Sequence, residues 1–176
     1  MNTVATVEEI ARDITLLALD VDGVLTDGRI QYGNSGEELK SFNIKDGLGI
    51  KLLQRDGIEV VLITGRSSHI VARRARELGI SEVIQGREDK LTALKEICLL
   101  RQVTPQQCAY MGDDLPDLAA VRAAGIGMAP ADAVISLHEA ADWVSQYTGG
   151  HGAVREACEA LLNWRGSLGK LQAKYD

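Results

Sequence analysis

The sequence predicts an α/β fold: a doubly wound parallel sheet, Rossmann-like, interrupted by one β-hairpin. Three observations carry that reading. Apolar, β-branched runs alternate with helix-period segments almost throughout, as repeated strand–helix units do. The runs are continuous rather than alternating, which suits strands covered on both faces. Between Thr26 and Ile44 the rhythm breaks. There Arg29–Tyr32, a Gly33-Asn34-Ser35-Gly36 turn and Glu38–Asn43 read as a hairpin.

The elements follow in order. Ile14–Asp20 is the first strand, and Val60–Thr64 is a second, β-branched one. Asn43 to Gly47 follow the hairpin and open a helix. Ser68–Leu78 has helical spacing, with Val71, Ala75 and Leu78 on one face and Gly79 as a stop. Glu82–Gln85 is a short strand, and Lys90–Leu100 a helix with Leu91, Leu94 and Ile97 inward. Cys108–Met111 is a strand, Leu115–Ala124 a helix closed by Gly125, and Ile126–Ala129 another strand. Ala133–Ala140 and Ala153–Trp164 read as helices. Gly166–Asp176 carries two glycines and no core pattern, so a mobile tail is expected there. Right-handed crossovers assemble these units into one domain, residues 1–176.

Composition narrows the function classes. A chain of 176 residues is long enough to bury a core, and 45% hydrophobic with 25% charged residues is ordinary for a globular protein. No apolar run approaches the roughly 20 residues that span a bilayer, so no membrane partner is expected. Met1 to Arg12 is polar and acidic with no signal-like core, which points to the cytoplasm. Cys98, Cys108 and Cys158 are odd in number and widely spaced, and read as small buried residues rather than a disulfide or zinc framework. The net charge of −6 argues against nucleic acid. An anionic small substrate would need positive charge gathered locally, for which Arg66, Arg73, Arg74, Lys45, Lys51 and Lys90 are available. His69, His138 and His151 have no matching ligand partners.

The chemistry gathers at strand ends. Period-2 geometry sends Asp20 and Asp22 the same way beyond the first strand, where ligands bind in open α/β sheets. The second strand ends in Thr64-Gly65-Arg66. Lys90 opens a helix after a polar loop, and the Cys108–Met111 strand runs into Gly112-Asp113-Asp114, with Asp117 beyond. Each type has a task in phosphoryl transfer. A carboxylate can attack phosphorus, and a second acid can protonate the leaving alcohol and then activate water. A hard cation such as Mg²⁺ would relieve the repulsion between carboxylates and phosphate. Thr64, the N–H groups near Gly65 and Lys90 would stabilise the equatorial oxygens. Asp114 and Asp117 read as a helix N-cap and a first-turn acid. A calcium loop starting at Asp20 fails at Val24.

Asp20-Val21-Asp22-Gly23, Thr64-Gly65, Lys90 and Gly112-Asp113-Asp114 resemble, in order, the four motifs of the haloacid dehalogenase superfamily of phosphatases. The resemblance implies that Asp20 is the nucleophile, Asp22 the acid/base, and Thr64 and Lys90 phosphate ligands. It also implies that Mg²⁺ sits on Asp20, the backbone carbonyl of Asp22, and Asp113. Neither the interval from Asp20 to Thr64 nor that from Thr64 to Lys90 can hold a cap domain, so the hairpin stands in place of one. A receiver domain would carry its phosphoacceptor where Thr64 stands.

Four segments are similar to the 3-deoxy-D-manno-octulosonate 8-phosphate phosphatase family. They are Asp20 to Gly28, Phe42 to Ile50, Ile63 to Arg66, and Gly149-Gly150-His151-Gly152-Ala153-Val154-Arg155-Glu156. That likeness implies a sugar-acid phosphate as substrate, a place in lipopolysaccharide biosynthesis, and a homotetramer joined through hairpins. It further implies a C-terminal tail over a neighbour's active site, which Arg155 would help organise. Asn43, Ile44, Lys45, Asp46, Gly47, Lys51, Gly65, Arg66 and Arg74 are the substrate-binding residues it suggests, Arg66 and Arg74 suiting a phosphate or carboxylate. Lys51 stands where the family often has arginine. Two alternatives stay open: a phosphatase for nine-carbon sugar-acid 9-phosphates, and a non-catalytic oligomerisation module.

Overall fold

The computed structural model describes residues 5–175. Thr6 and Glu9 form a reciprocal capping box that starts α1 (Val7–Ala11). Then come β1 (Leu16–Leu19), the hairpin strands β2 (Gln31–Tyr32) and β3 (Glu38–Leu39), α2 (Ile44–Arg55) and β4 (Glu59–Ile63). Next are α3 (His69–Leu78), β5 (Val83–Ile84), α4 (Lys90–Arg101), β6 (Cys108–Met111), α5 (Leu118–Ala123) and β7 (Ile126–Ala129). The chain ends through α6 (Ile135–Ala140), β8 (Trp143–Val144), α7 (Ala153–Trp164) and α8 (Leu168–Gln172).

The main sheet is parallel throughout, in the order β5-β4-β1-β6-β7-β8. Every residue of β1 is buried, which is why its sequence shows no polar alternation. Leu19 stands opposite Leu62 of β4 and Met111 of β6. The loops leaving these three strands therefore emerge side by side. Apolar residues of α2, α3, α7 and α8 form the core on one face, and those of α4, α5 and α6 form it on the other. That is the doubly wound architecture. Among the described residues no helix is long and apolar enough to cross a membrane.

Several boundaries differ from the sequence reading. The hairpin ladder is only two residues per strand, and it forms its own sheet. Residues 40–43 leave the ladder because Lys40 turns its side chain into the body of the protein. The expected helix Leu115–Ala124 splits into a 3-10 turn, Leu115–Asp117, followed by α5; Pro116 sits in the first turn, where its missing N–H costs nothing. The helix expected from Ala133 starts at Ile135. The strands Ile14–Asp20 and Glu82–Gln85 shorten to Leu16–Leu19 and Val83–Ile84. The terminal segment, expected as a mobile tail, forms α8 and a further turn, Ala173–Tyr175. Leu171 is buried against the core, and the Arg55 guanidinium donates to Tyr175 Oη at 2.8 Å. Asp176 lies outside the described residues.

Candidate active site

Asp20 leaves β1 with its N–H still bonded to Met111 O at 3.0 Å, so its backbone remains part of the sheet. Its Oδ1 accepts the Val21 N–H at 2.7 Å and lies 2.9 Å from Lys90 Nζ. The next turn is closed by the N–H groups of Leu25 and Thr26 bonding back to Val21 O, at 2.9 and 3.0 Å. This turn holds Gly23 at φ +90°, with the Asp113 carboxylate directly against it; an added Cβ would lie 2.0 Å from Asp113 Oδ2. Thr64 keeps its sheet bond to Ile84 O at 2.9 Å and is almost fully buried.

Lys90 opens α4 and is buried between two carboxylates, Asp20 on one side and Asp117 Oδ1, at 3.0 Å, on the other. Asp117 is equally buried. Its Oδ1 also accepts the Tyr110 hydroxyl at 2.7 Å, while Oδ2 faces the N–H groups of Asp113 and Asp114 at 3.3 and 3.4 Å. Gly112 makes room for it, since a Cβ there would lie 2.2 Å from the Asp117 Cβ.

Together these groups line a cavity of about 300 Å³ at the carboxyl edge of the sheet. One carboxylate oxygen each from Asp20, Asp113 and Asp117 lies within 4.8 Å of the others. Burial, then the charge of Asp117, pushes the Asp20 carboxyl up to about 7 against the pull of Lys90. Burial, then Asp20 and Asp117, pushes Asp113 up to about 7 as well. Burial works against the charge of Lys90, but Asp20 and Asp117 outweigh it and its pKa is raised. Three acids against one buried ammonium leave a negative excess, and Asp113 Oδ1 is buried without a partner. An all-oxygen set with an unpartnered carboxylate oxygen fits a hard divalent cation such as Mg²⁺.

Asp22 points to the mouth of the cavity. Its Oδ1 accepts the ammonium of Lys40, which lies 3.2 Å from Glu38 Oε1; that same oxygen is 3.5 Å from Arg66 Nη2. Thus Asp20, Asp22, Thr64, Gly65, Arg66, Lys90 and Asp113 share one cavity, as their strand-end positions predict.

The remaining candidates do not line it within the subunit. Asn43 caps α2, its side chain accepting the Lys45 N–H at 2.8 Å. Ile44 and Lys45 are exposed. Asp46 turns toward α7, where its Oδ1 accepts the Arg155 N–H at 2.8 Å. Gly47 gives space to Arg74, whose guanidinium would be 2.5 Å from a Cβ there. Arg74 itself packs over Phe42 and reaches Asn43 O at 3.5 Å, buttressing the start of α2. Lys51 faces a separate cleft beside Arg55 and Glu77. For Asp46, Gly47 and Lys51 the reason is that α2 packs against α7 and α3, which turns this part of the helix away from the sheet edge.

Tyr110, Lys40 and Glu38 are the residues that sequence reasoning missed, together with the part Asp117 plays beside Lys90. Asp114 caps the Leu115–Asp117 turn and Asp117 is its first-turn acid, as the sequence predicts; what the sequence does not show is that Asp117 is buried against Lys90 and Tyr110. A signal existed for the hairpin pair: Glu38 and Lys40 are two apart, so a strand presents both charges on one face.

A haloacid dehalogenase-like hydrolase family profile matches residues 43–125. The 3-deoxy-D-manno-octulosonate 8-phosphate phosphatase of Escherichia coli K12 is 46% identical over 158 residues, 90% of this chain and 84% of the relative. Its counterpart from Yersinia pestis is 47% identical over 152 residues, 86% of this chain and 81% of that one. The crystal structure of the Moraxella catarrhalis phosphatase, in complex with magnesium, phosphate and KDO, superposes with a TM-score of 0.95 at 46% identity. That likeness covers 96% of this chain and 97% of the other.

Proposed function

The chain belongs to the 3-deoxy-D-manno-octulosonate 8-phosphate phosphatase family of haloacid dehalogenase-like hydrolases, and we propose that it hydrolyses that sugar-acid phosphate. The observation that carries the reading is the Asp20–Lys90–Asp117 arrangement beside Asp113, with Thr64 and Asp22 on the same cavity.

Asp20 is the nucleophile. Its Oδ1 is engaged by Val21 N–H and Lys90, which leaves Oδ2 to attack phosphorus and form an aspartyl phosphate. Asp22 gives its proton to the departing C8 alkoxide, then takes one from the water that hydrolyses the intermediate. The Thr64 hydroxyl, backbone N–H groups around Gly65 and the Lys90 ammonium hold the phosphate oxygens. Asp20, Asp113 and the backbone carbonyl of Asp22 would hold Mg²⁺, with Asp117 next to them. The ion would supply positive charge that offsets repulsion between carboxylates and phosphate.

Outside this cavity the substrate reading rests on assembly. Ile30, Tyr32 and Leu39 of the hairpin and Ile44 beyond it are exposed apolar side chains, an area that suits contact with other copies. We propose a homotetramer joined through the hairpins, in which Asn43, Lys45, Lys51 and Arg74 bear on substrate only through an assembled neighbour. The buried Leu171 and the Arg55–Tyr175 hydrogen bond hold the tail on its own subunit, which argues against a place over a neighbour's cavity. We propose a cytoplasmic location, which the three free, buried cysteines Cys98, Cys108 and Cys158 support. There it would serve lipopolysaccharide synthesis.

The test is phosphate release with Mg²⁺ from octulosonate 8-phosphate, nonulosonate 9-phosphates and hexose phosphates in parallel. A preference in kcat/KM for the eight-carbon acid is expected. Better use of a nine-carbon acid moves the substrate, and no turnover of any of them leaves an oligomerisation module.

A further inference from the structure

We propose that Lys40, a hairpin residue, is a positioning residue for the acid/base Asp22, an inference that rests on the phosphatase reading above. Lysine is almost never fully buried unless paired, yet the Lys40 side chain is only 1% exposed in a single subunit. Its ammonium contacts Asp22 Oδ1 and lies 3.2 Å from Glu38 Oε1. Glu38 Oε1 in turn lies 3.5 Å from Arg66 Nη2. Charges therefore alternate in a line from Arg66, after the Thr64 loop, through Glu38 and Lys40 to Asp22.

Among the described residues, Lys40 makes the only hydrogen bond to the Asp22 carboxylate. Asp22 stands at the cavity mouth with 21% of its side chain exposed. A charged donor on Oδ1 fixes the group and leaves Oδ2 for the proton. In the first step the Asp20–phosphorus bond forms, the bond from phosphorus to the leaving oxygen breaks, and that oxygen takes the Asp22 proton. A misaimed Asp22 slows that step in proportion to how badly the leaving oxygen needs a proton. The hairpin thus has a task inside its own subunit, besides its exposed apolar surface.

The experiment measures kcat/KM with Mg²⁺ for a series of aryl phosphates of graded leaving-group pKa, for wild type, Lys40→Met, Lys40→Gln and Lys40→Arg. The neutral variants are expected to lose at least about tenfold on the poorest leaving group and little on the best, a fraction of what general acid catalysis contributes. Lys40→Arg should restore most of the loss. A leaving-group dependence in both neutral variants equal to wild type overturns the proposal. That result holds even if octulosonate 8-phosphate turnover falls, since such a loss would mean direct substrate contact. Lys40→Gln keeps the test open if Lys40→Met does not fold. Wild-type indifference to the sugar acid would strike the substrate reading alone, because the aryl series does not depend on it.

Discussion

Asp117 Oδ1 lies 3.0 Å from the Lys90 ammonium, on the opposite side from Asp20, and both side chains are almost wholly buried. Asp117 is therefore the counter-charge that keeps Lys90 aimed at Asp20, and the acceptor for the loop that carries Asp113. An amide cannot repeat both roles, because its NH₂ would face either Lys90 and the Tyr110 hydroxyl or two backbone N–H groups. Asp117→Asn is expected to cost about 2 kcal/mol or more of stability, read by urea unfolding. Unchanged stability would return Asp117 to an ordinary first-turn acid.

Asp20→Asn should abolish turnover while the fold persists, since the amide oxygen can still accept from Val21 N–H and Lys90. Asp22→Asn is expected to lower turnover at least about 100-fold, the contribution of a general acid/base. Steady-state rates paired with circular dichroism check both. Near wild-type activity of Asp20→Asn would sink the covalent route.

The pH dependence has a definite sign. Asp20 and Asp113 are each pushed from 3.8 up to about 7, so the folded protein holds protons that the unfolded chain has released. Their protonated forms favour folding at low pH, and that contribution is lost as pH rises from about 4 through about 7. Magnesium must displace the same protons. In EDTA the Tm should fall between pH 5.5 and 8, and the rise in Tm on adding Mg²⁺ should be larger at pH 8. An equal rise at both values would show that the acids do not bind the ion.

What the sequence made legible follows from where each residue's position is decided. Asp20, Thr64 and Asp113 sit at strand ends, and the apolar runs before them fix both strand and edge. Lys90 was legible because it opens a helix from the same edge. Asp117 lies beyond a turn, and only the fold shows it bending back on Lys90 and Tyr110. Lys40 was hidden in a hairpin whose relation to the sheet no local pattern encodes. Asp46 and Arg74 show the converse. The start of α2 was recognised, but the packing of α7 and α3 on it decides where those side chains point. Elements of two residues, β2 and β8 among them, carry too little periodicity to delimit.

Gly23 offers the sharpest test of the cavity wall. It has φ +90°, and Gly57, far from the site, has φ +89°. An alanine at either pays for the left-handed backbone, roughly 1 kcal/mol. They differ in surroundings: a Cβ on Gly57 meets nothing within 4 Å, whereas one on Gly23 would lie 2.0 Å from Asp113 Oδ2. Gly57→Ala should therefore lose some stability and keep its Mg²⁺-dependent activity. Gly23→Ala should lose more stability, and its Mg²⁺ affinity should drop because Asp113 is displaced. Titrating Mg²⁺ against activity in both variants separates backbone strain from the Asp113 contact. Equal metal affinity in the two would mean that Asp113 finds the ion without the space Gly23 leaves.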